Sequence, residues 1–179
     1  MGLRSTSSRY GVGVRAFHWL TVILVLSAYL LTKADRYSLY SSDADGIRRI
    51  HETLGMLVFM VVVLQLLWRL IDSPPAEQPM PRWASVAARL VRSALYTLLV
   101  AIPTTAVLGT WLVGLPITLL GFDVDPLIGE AHGLGQLIIE IHTTTGNAIL
   151  WVAGGHAAAA LFHHFYLRDK VLQSMAWGG

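Results

Sequence analysis

Residues 142–156 read HTTTGNAILWVAGGH, and this stretch decides the fold. Between its two histidines there is no charged residue. As a helix, fourteen residues rise about 21 Å, and fourteen steps of about 100° return to within about 40° of the starting face. One helix therefore points His142 and His156 in nearly the same direction from two depths. If that helix crosses a bilayer, it can hold two cofactors, one above the other.

The rest of the chain agrees with a membrane setting. Of 179 residues, 54% are hydrophobic and 13% are charged, whereas a soluble domain carries about 25% charged residues. The charges cluster between long apolar runs, which points to an integral membrane protein. There is no cysteine, so disulfides, thiolate-held iron–sulfur clusters and covalent c-type haem are excluded. A net charge of +2 with dispersed basic residues gives no footprint for nucleic acid.

Four spans are expected, at about residues 16–32, 51–70, 89–113 and 137–167. Each is long enough to cross about 30 Å of hydrocarbon. The first is read as a span and not a signal peptide, because no small-x-small cleavage site follows it. Pro103 and Gly109 fall inside the third, where a kink is tolerated. Residues 72–82 form a Pro-rich turn, and residues 114–136 a longer loop with an interfacial portion at 115–122. Nine of the thirteen Lys and Arg residues fall on the side of Arg4, Arg9, Arg15 and Arg69, and four on the other. The richer side is expected to be cytoplasmic. The expected fold is thus all-α, a single domain over residues 1–179: a four-helix membrane bundle with both termini in the cytoplasm.

Seven histidines occur, and depth sorts four of them into pairs. His51 and His142 open spans two and four at the outer face, in the related strings HETLG and HTTTG. His18 lies just inside the cytoplasmic start of span one, level with His156. Two axial imidazoles per iron are what a six-coordinate b-type haem requires. The glycine four residues after His51 and after His142 leaves room for a flat ring against the backbone; close helix packing is the competing account. Zinc or di-iron sites need three or four ligands at one depth, and only two imidazoles meet at each level here.

Several further residues are candidates. His163, on nearly the face of His156, is placed to donate to a haem propionate or a quinone carbonyl. His164 is read as a solvated helix end beside Arg168 and Lys170, and His132 as a surface loop residue. Arg69, Arg89 and Arg92 satisfy positive-inside topology, and Arg can fork onto a propionate. Gln65, fourteen residues after His51, is at most a donor outside the ligand set.

The segments RAFHWL (15–20), HETLG (51–55), LLWRL (66–70), ALYTLLVAIP (94–103) and the whole stretch from His142 to Met175 resemble the bacterial cytochrome b561 family, which includes superoxide oxidase. That resemblance covers about residues 14–175. It implies two b-type haems on His18, His51, His142 and His156, a ubiquinone partner, and a multi-pass place in the bacterial inner membrane. In the superoxide-oxidising members it implies electron transfer from superoxide outside to ubiquinone. Family members often carry His where Arg89 and Arg92 stand and Arg where Gln65 stands. Under this reading Lys33, Arg36, Arg48 and Arg49 form a cationic rim that concentrates superoxide, partly offset by Asp35, Asp43, Asp45 and Glu52. The alternative reading is an electron-conduit cytochrome subunit of a larger dehydrogenase or hydrogenase, with a soluble redox protein as partner.

Overall fold

The computed structural model describes residues 2–6, 9–34, 45–75, 80–169 and 171–176. Four long helices dominate: α1 (Val12–Ala34), α2 (Asp45–Ile71), α3 (Arg82–Leu112) and α4 (His132–Phe162). A five-residue π-helical turn, His163–Leu167, extends α4, and a short helix α5 (Val171–Met175) follows. The helices start earlier than the apolar runs suggest: α1 at Val12 and not 16, α2 at Asp45 and not 51, α3 at Arg82 and not 89. Hydrocarbon-length runs mark only what lies in lipid, whereas the backbone ladder continues into polar flanks.

Among the described residues, α1, α2 and α3 are each long and apolar enough to cross a membrane. α4 matches α3 in length, but His142, Asn147 and His156 interrupt its apolar surface. Large apolar side chains such as Leu64, Leu67, Leu90 and Trp151 face outward, while the small core is built around Val58, Val62 and Ile149. An outward apolar surface of this extent fits lipid, not water.

The helices pack as two pairs, α1 along α2 and α3 along α4, with a lighter contact between α2 and α3. The α3–α4 seam is closed by glycine. A Cβ at Gly109 would stand 2.8 Å from Ile139 Cγ1, and one at Gly135 would stand 2.7 Å from Val113 Cγ1. Small residues that let backbones approach are the usual glue of membrane helices. Close backbone contact of α4 with α1 or α2 is slight or absent. Side chains and not close backbones therefore span the space between α4 and the α1–α2 pair: the Tyr29 hydroxyl of α1 donates to Asn147 Oδ1 of α4 (3.2 Å).

The segment expected as a loop contains a β-hairpin. β1 (Ile117–Leu119) pairs antiparallel with β2 (Phe122–Val124) across the turn Leu120–Gly121. Both turn residues have positive φ, 51° and 87°. Asn-Gly or Asp-Gly is the usual choice for such a turn, and a leucine held there costs of order 1–3 kcal/mol. The hairpin is locked onto the first turns of α2. The Thr118 N–H donates to the Glu52 carboxylate (2.8 Å), the Leu120 N–H to Thr53 Oγ1 (3.2 Å), and Arg49 to both Asp123 (2.8 Å) and the Gly121 carbonyl (3.2 Å). Beyond the hairpin, His132 is exposed as expected, but it is the first residue of α4 and not part of a loop.

Both described ends of the chain meet at the opposite end of the bundle. Ser5 donates through its N–H and hydroxyl to the Asp72 carboxylate (2.8 and 2.6 Å) just past α2. Burial would raise the Asp72 carboxyl, but the two Ser5 hydrogen bonds, together with Trp68 and the Arg4 charge, outweigh it and hold the group below the ordinary carboxylate range. Arg15 and Trp19 of α1 donate to the carbonyls of Ala176 and Met175 (both 3.0 Å). The two ends of the bundle are called here the hairpin end and the termini end.

Candidate functional site

At the hairpin end His51 of α2 and His142 of α4 approach one another. Their ring centroids are 6.2 Å apart, with planes at 85°. Each ring is tethered to the wall behind it: His51 Nδ1 to the Ala28 carbonyl of α1, and His142 Nδ1 to the Ile102 carbonyl of α3, both at 2.9 Å. A carbonyl can only accept, so both Nδ1 atoms carry the proton and both Nε2 atoms keep the lone pair. Two metal–imidazole bonds of about 2.0–2.1 Å plus half a ring on each side come to roughly 6 Å, so the spacing suits one metal held axially. A backbone carbonyl on the outer nitrogen is the usual support for a metal-binding imidazole. A Cβ at Gly55 or Gly146, one turn along from each histidine, would meet open space. These glycines therefore do not close a helix seam, in contrast to Gly109 and Gly135.

At the termini end His18 of α1 and His156 of α4 are electrostatic neighbours. His156 is exposed, with Arg92 of α3 near it and open space at Gly154 and Gly155. Neither ring makes a hydrogen bond among the described residues. His18 instead sits edge-on to Trp19, with ring centroids 5.4 Å apart. Among the described residues no three His, Cys, Asp or Glu side chains gather where they could hold a metal ion.

The remaining candidates separate. His163 hydrogen-bonds the carboxylate of Asp169 through Nδ1, and the other Asp169 oxygen accepts from the Val171 N–H (3.0 Å) at the start of α5. Burial opposes the Asp169 charge, yet the His163 contact holds its carboxyl below the ordinary range. His164, read from sequence as a solvated residue, instead has a buried Nδ1 with no partner among the described residues. It is half-buried within the π-helical turn. Arg69 and Gln65 both donate to the Tyr96 hydroxyl (3.4 and 3.1 Å), and the Arg69 guanidinium carbon lies 5.7 Å over that ring. Arg89 is exposed on the first turns of α3.

Of the cationic rim, Arg36, the side chain of Lys33, Asp35 and Asp43 lie outside the described residues, as does Lys170. Arg48 and Arg49 are both ion-paired. Arg48 bridges Asp45 and Glu52 (both 3.1 Å), and Arg49 meets Asp123 (2.8 Å). The Thr118 hydroxyl and then Arg49 hold the Asp123 carboxyl below its ordinary value.

Sequence reasoning did not find the Ala28 and Ile102 carbonyls, Tyr96, Asp123 or Asp169. Backbone acceptors leave no trace in residue identity, and Asp123 is 74 positions from Arg49. Glu52 was legible as the i+4 partner of Arg48.

The sequence model of prokaryotic cytochrome b561 matches residues 9–178. The chain belongs to that family. Cytochrome b561 homolog 2 of Escherichia coli (strain K12) is 32% identical over 180 residues, covering 98% of this chain and 95% of that one. Cytochrome b561 homolog 1 of the same organism is 29% identical over 160 residues, covering 88% and 91%. A probable superoxide oxidase CybB of Yersinia pestis is 24% identical over 159 residues, covering 88% and 90%. Membership makes this a membrane protein of electron transfer that carries b-type haem.

Proposed function

We propose that this cytochrome b561 holds two haems, one between His51 and His142 and one between His18 and His156, and oxidises superoxide while reducing ubiquinone in the bacterial inner membrane. The observation that carries it is the His51–His142 pair, which has the spacing and tautomers suited to a bis-imidazole site, with His18 and His156 neighbours at a second level along α4. A haem held there by His51 and His142 would supply reversible one-electron chemistry. The chain's own contribution is orientation. Carbonyls of α1 and α3 fix the hairpin-end rings, and glycines leave the flat faces clear. Arg92 beside His156 and His163 near the π-helical turn are the groups for a propionate or a quinone carbonyl; Arg69 and Arg89 are weaker candidates.

Four spans with nine of thirteen basic residues on one side would put the hairpin end outside and both termini in the cytoplasm. Superoxide would then reach the protein at the hairpin end, where His51 and His142 would hold the electron-accepting haem. Two superoxide ions each lose one electron and become O2, and the quinone takes both electrons and two protons to become the quinol. The name of the Yersinia pestis relative supports this substrate. The test is a stopped-flow superoxide pulse on purified protein with a short-chain ubiquinone. Haem reduction and quinol formation far above those of free haem, both abolished by His51→Ala, are expected. Rates no better than free haem would remove superoxide from the account.

A second reading, the conduit subunit of a larger dehydrogenase or hydrogenase, is favoured by one observation. Arg48 and Arg49 are already neutralised by acids, so the rim they were expected to form is weaker as an anion funnel. Copurification of a soluble redox partner that reduces the haems would decide for it.

A further inference from the structure

We infer that the tip of the hairpin is a membrane anchor: Leu120 and Phe122 insert into the bilayer interface beside the first turns of α2. The hairpin lies against the first turns of α2. The Leu120 N–H reaches Thr53 Oγ1 and the Gly121 carbonyl reaches Arg49, so the tip sits level with residues 49–53. From there the apolar face of α2 begins. Ile50 is already outward and apolar, and outward leucines and methionine continue it along the helix. Leu120 (63% exposed) and Phe122 (78% exposed) present further outward apolar surface beside it.

The turn itself carries the second argument. Its first position has φ of 51°, where asparagine or aspartate is favoured and would suit water. The chain places leucine there despite the strain, flanked by phenylalanine. A bulky apolar pair at a strained turn is a poor surface in water and a good one at the acyl–headgroup boundary. Polar groups occupy the other side: Asp123 pairs inward with Arg49 and Thr118, and Asp125 lies beyond the strand. The inference is independent of which donor feeds the haems.

The cysteine-free chain makes the test direct. Leu120→Cys and Phe122→Cys, each spin-labelled in the full-length haem-loaded protein, are placed in nanodiscs of phosphatidylethanolamine and phosphatidylglycerol. Leu64→Cys on the lipid-facing side of α2 and Asp125→Cys serve as references. Labels at 120 and 122 are expected to collide with oxygen more than with a water-soluble nickel chelate, as at 64 and opposite to 125. A bimane label at the same sites should also emit at shorter wavelength than at 125. Nickel-dominated collisions at both tip positions would put the tip in water and overturn the inference. Protection from both reagents, in detergent as in nanodiscs, would mean that protein covers the tip and would overturn it equally.

Discussion

The two histidine pairs look alike in sequence and differ in structure. His51 and His142 are tethered by carbonyls of two further helices, so all four helices define that site. A hairpin bound to the residues flanking His51 lies against it. His18 and His156 have no such tethers among the described residues, and His156 is exposed. The difference teaches where order is built before any cofactor arrives. One level is pre-shaped, and the other is left to be completed by what it binds and by the termini that gather there. A pre-shaped site loses less entropy on binding, so the hairpin-end level should load first and release last.

The largest effect follows from α4 serving both levels. His142→Ala should remove the hairpin-end haem and His156→Ala the termini-end haem, each leaving about half of the haem per chain by pyridine haemochrome assay, since loss of an axial ligand opens the coordination sphere. If either variant lost both haems while keeping its helical circular dichroism, the two levels would be one cooperative site and the contrast would fall. Next in size is release. Competition with apomyoglobin should strip the termini-end haem about 10–100-fold faster than the other, the scale that supports behind a ligating imidazole usually carry. Equal rates would mean that the carbonyl tethers contribute nothing.

A third effect separates room for a cofactor from mere helix packing. Gly146→Leu places its side chain where the structure has open space, so the helices should still assemble while the hairpin-end haem is lost. Gly135→Leu strikes Val113 and Leu112 and should lower the melting temperature of the whole bundle, both haems included. A Gly146→Leu protein with full haem content would reassign that glycine to packing.

These contrasts show how far residue order can be read. Helix existence and the i+14 register of His142 and His156 follow from apolar length and the helical period, both local properties. The pairing of HETLG with HTTTG was visible because each string carries the same residues at the same offsets. The hairpin was not. Its strands are three residues long, its turn is Leu-Gly in place of Asn-Gly, and ITLLGF reads as one more apolar run. Arg49 with Asp123, and both carbonyl tethers, depend on helices meeting in space, which no local period encodes. The π-helical turn at His163–Leu167 likewise carries no marker residue, and within it His164 is half-buried where a solvated side chain was expected.

The pH response of the hairpin tests its latch. Asp123 titrates below its ordinary range because Thr118 and Arg49 stabilise the carboxylate. A lowered folded-state value means the latch is intact above the unfolded value of about 3.9 and is lost as pH falls through the lower, folded one. Limited proteolysis at residues 117–124 should therefore be steady from neutral pH down to about 4 and accelerate only below that. Asp123→Asn should accelerate cleavage already at neutral pH and flatten the profile. An unchanged profile would show that the Glu52 and Thr53 contacts hold the hairpin alone.

The smallest effect concerns the rim. An arginine already within 3.1 Å of a carboxylate projects little field beyond a Debye length of about 8 Å at physiological salt. Arg49→Gln should then slow superoxide oxidation by less than about twofold at low salt. Asp123→Asn, which frees the Arg49 charge, should speed it by a similar factor and steepen its decline with added salt. The opposite signs of these two variants are what a compensated rim requires. A tenfold loss in Arg49→Gln with no gain in Asp123→Asn would instead mean that the guanidinium meets the anion directly while still paired. The hairpin end would then be an anion-collecting site as well as the better-ordered one.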